Sequence, residues 1–192
     1  MKKIPLTQGK FALVDDDWAW LDYFNWYLSI SGRTEYARSD LRVKDKRVVL
    51  RMHRIVINAQ KGQIVDHINS NGLDNRTENL RLCTNSQNFQ NSRKQKNCSS
   101  KYKGVYEVKK AKRKKWRTMI CSPNKGKSRH VGSYSTEIEA ALAYDIMAKE
   151  LFGEFARLNF PESTVDNLIV LVELRTSKNL GSQLPVRFDG NC

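Results

Sequence analysis

The chain has 192 residues, of which 40% are hydrophobic and 28% are charged, and its net charge is +14. This length allows one medium-sized domain or two small ones, neither with a large core. No apolar run approaches the roughly 20 residues that span a bilayer, and the N-terminus lacks an apolar run of signal-peptide length, so we expect a cytoplasmic protein without membrane segments.

The cysteines indicate neither a metal cage nor a disulfide framework. All four are scattered along the chain, without a Cys-x-x-Cys pair. We therefore expect reduced thiols and no structural zinc. These residues are Cys83, Cys98, Cys121 and Cys192.

The positive charge is concentrated in one segment. Between Arg93 and Arg129 there are fifteen Lys or Arg residues and one acid, Glu107, whereas the rest of the chain has equal numbers of bases and acids. A concentrated positive field attracts polyanions and gains affinity when phosphates release their counterions. The distribution favours a nucleic-acid-binding segment, and the alternative is a basic face that is only solvated.

The N-terminal part, residues 1–50, is predicted to be rich in β-strands. Apolar and polar residues alternate in segments 10–14 and 47–51, as is typical of strands. A cluster of aromatic residues between Trp18 and Tyr27 is predicted to pack in the core.

The middle of the chain combines two predicted strands with two predicted helices. Apolar residues at helical spacing predict a short helix over 52–59. Strand-like runs at 63–68 and 79–84 flank a polar, glycine-bearing loop at 69–75. The polar segment from Asn85 to about Lys94 follows a helix-capping residue and is predicted to be a short helix.

The basic part predicts three strands and a helix. Residues 96–100 have the composition of a linker, and strands are predicted near 104–109, 115–121 and 128–134. The helix follows at Glu137–Phe152.

This helix has the clearest boundaries in the chain. Thr136 and Glu139 form a capping-box pair at its start, and Gly153 is a typical C-terminal stop. Beyond it we expect a short apolar patch at Leu168–Leu174 and then a disordered polar tail.

Asp66 and His67 are candidates for phosphodiester hydrolysis. That reaction needs a divalent metal to polarise the phosphate and a base to take a proton from water. An aspartate suits magnesium or manganese, and a histidine is a usable base at neutral pH. The alternative is that His67 is a structural hydrogen-bonding residue, since a polar turn can produce such a pair by chance.

The surrounding pattern, over roughly residues 8–95, resembles the HNH endonucleases of phage and mobile introns. The motifs that carry the resemblance are Val65-Asp66-His67-Ile68-Asn69, Gly72-Leu73-Asp74-Asn75-Arg76, Glu78-Asn79-Leu80-Arg81-Leu82 and Gln87-Asn88. The resemblance implies a ββα-metal core that holds one metal ion, in a protein encoded by a phage or its bacterial host.

The resemblance also implies four roles. Asp66 is expected to be a metal ligand and His67 the general base. Asn79 is expected to brace the loop that carries the histidine, and Asn88 to place an amide oxygen on the metal. Because the last motif position is Asn rather than His, magnesium is expected rather than zinc, with manganese as the alternative.

Three neighbouring residues are given structural roles. His53 is predicted to be structural, although it lies in a His-Arg segment of the family. Asn75 and Arg76 are predicted to shape the turn, with a phosphate contact by Arg76 as the alternative.

The basic segment, over about residues 101–161, resembles an AP2 (ERF-type) DNA-binding domain. Its motifs are Tyr102-Lys103-Gly104-Val105-Tyr106, Trp116, Val131-Gly132-Ser133-Tyr134, Glu139-Ala140-Ala141, Ala143-Tyr144-Asp145 and Leu158-Asn159-Phe160-Pro161. The resemblance implies a three-stranded antiparallel sheet packed on one helix, with DNA contacts from the sheet.

The DNA contacts implied by this resemblance are of two kinds. The candidates on the sheet are Lys103, Tyr106, Arg117 and Arg129. Phosphate contacts are expected from Lys109, Lys112 and Lys115, although the run from Lys112 to Lys115 is alternatively a solvated hairpin tip.

Trp116 and Tyr144 are expected in the core. Plant members carry base-reading Arg or Trp at several positions that are Tyr106, Val108 and Met119 here, so the family's target sequence does not transfer.

Together the sequence predicts an α+β protein with five parts. They are a β-rich N-terminal region (1–50), an HNH ββα-metal core (51–95), a linker (96–100), an AP2-type domain (101–161) and a tail (162–192). The expected function is a metal-dependent, homing-type endonuclease acting on double-stranded DNA, with a monomer favoured. A non-catalytic sequence-specific DNA-binding regulator is the alternative, and an RNA-binding protein is a weaker third, since no stacking platform for single strands is evident.

Overall fold

The structure is a computed structural model that describes residues 1–121, 128–167 and 169. The chain has a mixed α/β fold in which the described strands form several separate antiparallel sheets. Within these ranges, no helix is both long and apolar enough to cross a membrane. The predicted apolar patch and tail lie almost entirely outside the described residues.

Two small sheets form the N-terminal part. The first is a hairpin of β1 (Lys2–Pro5) and β2 (Phe11–Val14). The second is a meander of β3 (Tyr27–Ser31), β4 (Thr34–Val43) and β5 (Lys46–Arg51). The prediction of a β-rich region is therefore confirmed.

A second hairpin and two short helices follow. Helix α1 (Met52–Val56) leads to the antiparallel pair β6 (Ile64–His67) and β7 (Leu80–Cys83), and α2 (Asn85–Gln90) comes directly after β7. Both helices end earlier than the sequence predicted. The long connection between β6 and β7 contains the polar loop.

One apolar core joins the N-terminal sheets to this hairpin. It contains Ile4, Val14, Leu21 and Met52, together with Leu73 from the polar loop. The predicted packing of the aromatic cluster is confirmed for Trp26, which is buried, but it is wrong for two members: Tyr23 is 92% exposed and Trp20 is 43% exposed. A run of aromatic residues in an eight-residue 3₁₀ helix cannot turn every ring inward, because that helix touches the core on one side.

The C-terminal part is a three-stranded sheet with one helix. Strands β8 (Val105–Glu107), β9 (Trp116–Cys121) and β10 (Ser128–Tyr134) are antiparallel in the order β10-β9-β8, and α3 (Glu137–Phe152) packs on the sheet. The bounds of α3 match the prediction.

The helix lies close to the sheet because one glycine permits it. A Cβ on Gly104, whose φ is +75°, would lie 2.0 Å from the ring of Tyr144. Tyr144 is buried against Ile120, as predicted, and Trp116 packs at the edge of a second small cluster. The buried Asp145 carboxylate then accepts hydrogen bonds from the backbone N–H of Asn159 and of Phe160, which fixes the chain after α3.

Candidate active site

Asp66 and His67 end strand β6 and are both buried. The register of the hairpin places Arg81 opposite Asp66. The Arg81 guanidinium donates to Asp66 Oδ2 from Nε at 3.0 Å and from Nη2 at 2.9 Å. Asn91 Nδ2 lies 3.0 Å from each oxygen of the same carboxylate. The carboxylate is therefore fixed in orientation by one cation and one amide.

The loop after β6 is held by Asn79. Its Oδ1 accepts from the backbone N–H of Asn69 at 3.0 Å, and its Nδ2 donates to the carbonyl of Asp74 at 2.7 Å. Asp74 in turn accepts two hydrogen bonds of 2.8 Å from the guanidinium of Arg76, which hold the pKa of the Asp74 carboxyl below its usual range. Asn79 thus crosslinks both ends of the loop, as a bracing residue would.

Gly72 lets this loop lie against strand β4. A Cβ at this position would approach the carbonyl oxygen of Glu35 to 2.3 Å and the ring of Tyr36 to 2.9 Å. The loop also bonds to β2, because the N–H of Leu13 donates to Leu73 O and the N–H of Asn75 donates to Leu13 O, both at 2.8 Å. The N-terminal sheets therefore set the position of the loop.

The buried side chain of Asn75 determines which nitrogen of His67 carries the proton. Asn75 Nδ2 donates to Leu73 O at 3.2 Å, so its Oδ1 faces His67 Nε2 at 3.3 Å. Since Oδ1 can only accept, Nε2 carries the hydrogen and Nδ1 keeps its lone pair. Burial lowers the pKa of His67, although the bond to Asn75 acts in the opposite direction. The imidazole is therefore neutral at pH 7.

A second histidine packs against the first. The rings of His53 and His67 have centroids 5.3 Å apart, and Tyr36 contacts both rings. Burial, followed by the proximity of His67, lowers the pKa of His53 to about 3. His53 is therefore neutral, in agreement with the predicted structural role.

A cleft of about 470 Å³ gathers the candidate residues. Asp66, His67 and Asn88 all line it, whereas Asn79 lies within the braced loop. Asn88 is exposed on α2, and Asn91, three residues later, makes the direct contact with Asp66. The sequence motifs gave no role to Asn91 or Arg81. The spacing of three between Asn88 and Asn91 is the signal that would have indicated Asn91, since it places both residues on one face of a helix.

The donor set of the cleft matches a hard divalent cation. Among residues 1–121, 128–167 and 169, no three His, Cys, Asp or Glu side chains group as metal ligands. An ion here would be held by the Asp66 carboxylate, an amide oxygen such as that of Asn88, and water. Magnesium typically binds proteins through one or two carboxylates and keeps several waters, so these residues fit it.

The predicted DNA contacts on the sheet divide into two groups. Tyr106 and Arg117 are cross-strand partners, and Arg117 alternates with the buried Thr118, so both lie on the face away from α3. Arg129 pairs with the buried Ile120 and so projects to the α3 side, whereas His130 pairs with Met119 on the outer face. The register makes this assignment. Its irregularity between His130 and Gly132 interrupts strand alternation, so alternation in the sequence does not give it.

The lysines also divide by position. Those predicted to contact phosphates are exposed around the connection between β8 and β9; they are Lys109, Lys112 and Lys115. Lys103 is instead partly buried, and its ammonium donates to the carbonyls of Gln90 and Ser92 at the end of α2. Burial lowers the pKa of Lys103 to about 8.

Comparison with known proteins gives two groups of relatives. The sequence profile of an HNH endonuclease family matches residues 51–90. An uncharacterized HNH endonuclease of Acanthamoeba polyphaga mimivirus is 35% identical over 159 residues, which are 79% of this chain and 76% of that protein. No solved structure matches the chain.

The second group consists of plant proteins. Dehydration-responsive element-binding protein 2D of Arabidopsis thaliana is 45% identical over 67 residues, 35% of this chain and 31% of that protein. An ethylene-responsive transcription factor of the same plant is 52% identical over 48 residues, 25% of this chain and 26% of that protein. The chain thus spans less than a third of either plant protein, and this likeness belongs to its C-terminal part. With its cleft, its family profile and its viral relative taken together, the chain belongs to the HNH endonuclease family and carries a C-terminal segment that resembles AP2/ERF DNA-binding proteins.

Proposed function

We propose that the protein is a metal-dependent endonuclease of the homing type that cuts double-stranded DNA. The observation that carries the proposal is the cleft in which Asp66, the neutral His67 and Asn88 meet. In this function, the hairpin β6–β7 with α2 is the ββα-metal core. We expect a monomer to bind DNA through its C-terminal unit, which is the sheet of β8, β9 and β10 together with α3 and the residues that follow it.

His67 is the proposed general base. Its Nδ1 has a lone pair and its pKa is lowered by burial, so it can take a proton from the attacking water at neutral pH. Asp66 and Asn88 would hold one divalent cation, magnesium or alternatively manganese. When bound, that cation would polarise the phosphate and stabilise the leaving oxygen. Arg81 and Asn91 orient the Asp66 carboxylate.

The C-terminal unit is proposed to bind the duplex and to select the site of cleavage. Tyr106 and Arg117 on the outer face of the sheet would meet the DNA. The exposed Lys109, Lys112 and Lys115 would contact phosphates, which position a protein on DNA without reading sequence. A sheet of this size can enter the major groove.

Cleavage of a plasmid library tests the proposal. Purified protein with magnesium is expected to nick or linearise DNA, and excess EDTA is expected to stop the reaction. His67→Ala should slow cleavage by about 100-fold or more, because it removes the proton acceptor. Gel shifts with His67→Ala, run without metal, should match the wild type and so show that binding survives. Absence of any nicked or linear product from the wild type across the library would refute the nuclease assignment.

A non-catalytic DNA-binding regulator is the second candidate. The ion pair between Arg81 and Asp66 favours it, because a protein cation already neutralises the carboxylate. It predicts gel shifts that do not depend on metal and no product at any protein concentration. The same plasmid experiment therefore separates the two candidates.

A further inference from the structure

Two arginines from different parts of the chain meet at one residue beside the cleft. Arg93, just after α2, donates from Nη2 to the backbone carbonyl of Ser70. Arg157, after α3 in the C-terminal unit, donates from Nη1 to Ser70 Oγ at 2.9 Å. Ser70 lies in the braced loop and, like Arg93, lines the cleft with Asp66 and His67. The C-terminal unit thus places a cation at the edge of the candidate active site.

In the described part of the chain, these two guanidiniums have no acidic partner in direct contact. Within the described ranges, neither arginine takes part in an ion pair, and each makes one hydrogen bond with the protein. Arg157 is half-buried, and its pKa is lowered by burial and by the neighbouring Arg93, while the Asp66 carboxylate acts in the opposite direction. Arg93 is exposed, so only the Arg157 charge is partly removed from water, and its proximity to Arg93 raises the free energy of the folded protein unless an anion offsets it.

The remaining donors suit a phosphate. A guanidinium carries five N–H groups in a planar fork that can bind two oxygens of one phosphate. With one group of each fork held on Ser70, the others are available to a ligand. Surface arginines that only solubilise a protein would not be expected to converge on a single serine from two separate elements.

We infer that Arg93 and Arg157 form a binding site for one phosphate of the DNA backbone, adjacent to the phosphate that is cleaved. The inference deepens the proposed function, because it takes DNA as the ligand and makes the C-terminal unit a contributor to the cleft. Arg33, which lines the same cleft, donates to the carbonyl of Lys94 and is not needed for the site.

The salt dependence of DNA binding tests this site. Binding of a short fluorescent duplex of mixed sequence is measured by anisotropy, without metal and in the His67→Ala protein, so that no cleavage occurs. Each phosphate that is neutralised contributes about 0.9 to the slope of log affinity against log salt. The double variant Arg93→Gln/Arg157→Gln should lower the slope by about 0.9. Its affinity deficit should therefore shrink about 3.5-fold between 50 and 200 mM salt.

A matched control separates a local site from net charge. Arg42 and Arg47 are cross-strand neighbours on β4 and β5, and their replacement by Gln removes the same two charges. This control should leave the slope within error of the parent protein. The inference would be overturned if both double variants lowered the salt slope equally, or if the Arg93→Gln/Arg157→Gln variant left the slope unchanged.

Two further measurements distinguish a phosphate site from other causes of a lowered slope. The pair Arg93→Lys/Arg157→Lys keeps both charges and should keep most of the slope, so a loss confined to the Gln pair is attributed to the missing charges. Thermal stabilisation by inorganic phosphate is measured in parallel. If the Gln pair loses that stabilisation but keeps the DNA slope, the site binds free anions only and the DNA assignment is wrong.

The outcome is independent of the nuclease activity. A protein that never cuts DNA but loses slope in the Gln pair would refute the proposed function and support the phosphate site. If the wild type cuts DNA but the Gln pair shows an unchanged salt slope, the proposed function would be supported and the phosphate site refuted.

Discussion

The side-chain amide of Asn75 fixes the tautomer that His67 needs as the proposed general base. From the sequence, Asn75 was predicted only to shape the turn, because a motif shows the spacing of residues and not which side chains are in contact. The bond between Asn75 Oδ1 and His67 Nε2 depends on the carbonyl of Leu73, which fixes the orientation of the amide. Such a tertiary contact could not be predicted from composition or periodicity.

Removing this amide should release the tautomer of His67. We expect Asn75→Ala to lower kcat by about tenfold or more, since the wrong tautomer leaves the base protonated at Nδ1. DNA affinity measured without metal should stay the same. ¹⁵N NMR of the imidazole should show an unprotonated Nδ1 in the wild type and a mixture of tautomers in the variant. A variant with an unchanged ¹⁵N spectrum would contradict this role of Asn75.

His53 should make the stability of the protein depend on pH. Its folded pKa of about 3 lies below the unfolded value of 6.5, so the unfolded chain binds the proton first as pH falls. The contribution of His53 is complete above pH 6.5 and decreases as pH falls towards 3. Between pH 7 and pH 5 the loss from this group should be about 2 kcal/mol.

Urea unfolding at both pH values measures that loss. His53→Gln removes the titrating group. Between pH 7 and pH 5, the free energy of unfolding of this variant should therefore fall by about 2 kcal/mol less than that of the wild type. If the free energy of unfolding changed equally with pH in both proteins, burial of His53 would not be the cause of the pH dependence.

Among the elements, helix α3 was the one that local signals defined completely. Its capping box, formed by Thr136 and Glu139, is present, and Gly153 ends it with a φ of +53°. Helix α2 also begins with a capping box, but it ends at Gln90 rather than near Lys94. Its end is set by tertiary contacts, since the carbonyl of Gln90 accepts from a lysine of the C-terminal unit. Local sequence gives no sign of such a contact.

The two capping boxes offer a matched pair of substitutions. Thr84→Ala and Thr136→Ala each remove an N-cap hydroxyl and should each cost about 1 kcal/mol of stability. Because Asn88 lies on α2 and Asn91 follows directly after it, only Thr84→Ala should also lower the rate of cleavage of bound DNA. Urea unfolding and single-turnover cleavage would measure the two effects. Equal cleavage rates in the two variants would show that the start of α2 does not position the site.

Across the whole molecule, the family motifs predicted the two halves but not the contacts between them. Lys103 was expected to face DNA, whereas its ammonium lies on carbonyls at the end of α2. The segment 96–100 was expected to be a linker, yet Ser100 Oγ donates to Glu137 at 2.7 Å. Contacts between separate units depend on shape and are not encoded in local patterns.

Replacement of Lys103 should therefore reveal a structural cost. Lys103→Met leaves the carbonyls of Gln90 and Ser92 without this donor and should destabilise the protein by about 1–3 kcal/mol. Lys109→Met, in the exposed β8–β9 connection, should change stability by less than about 0.5 kcal/mol. Urea unfolding of both variants checks this. Equal stabilities would return Lys103 to the group of simple DNA contacts.

Arg81 bears on any attempt to exchange the C-terminal unit of this protein for another. Its guanidinium holds Asp66 with one edge, while Nη1 donates to the carbonyl of Glu154 at 2.7 Å and the plane stacks 3.8 Å from the centre of the Phe155 ring. A chimera joined within 96–100 would discard the stacking partner along with the native module. Grafts that reproduce the short Gly153–Phe155 turn are the ones we expect to keep a correctly aimed carboxylate.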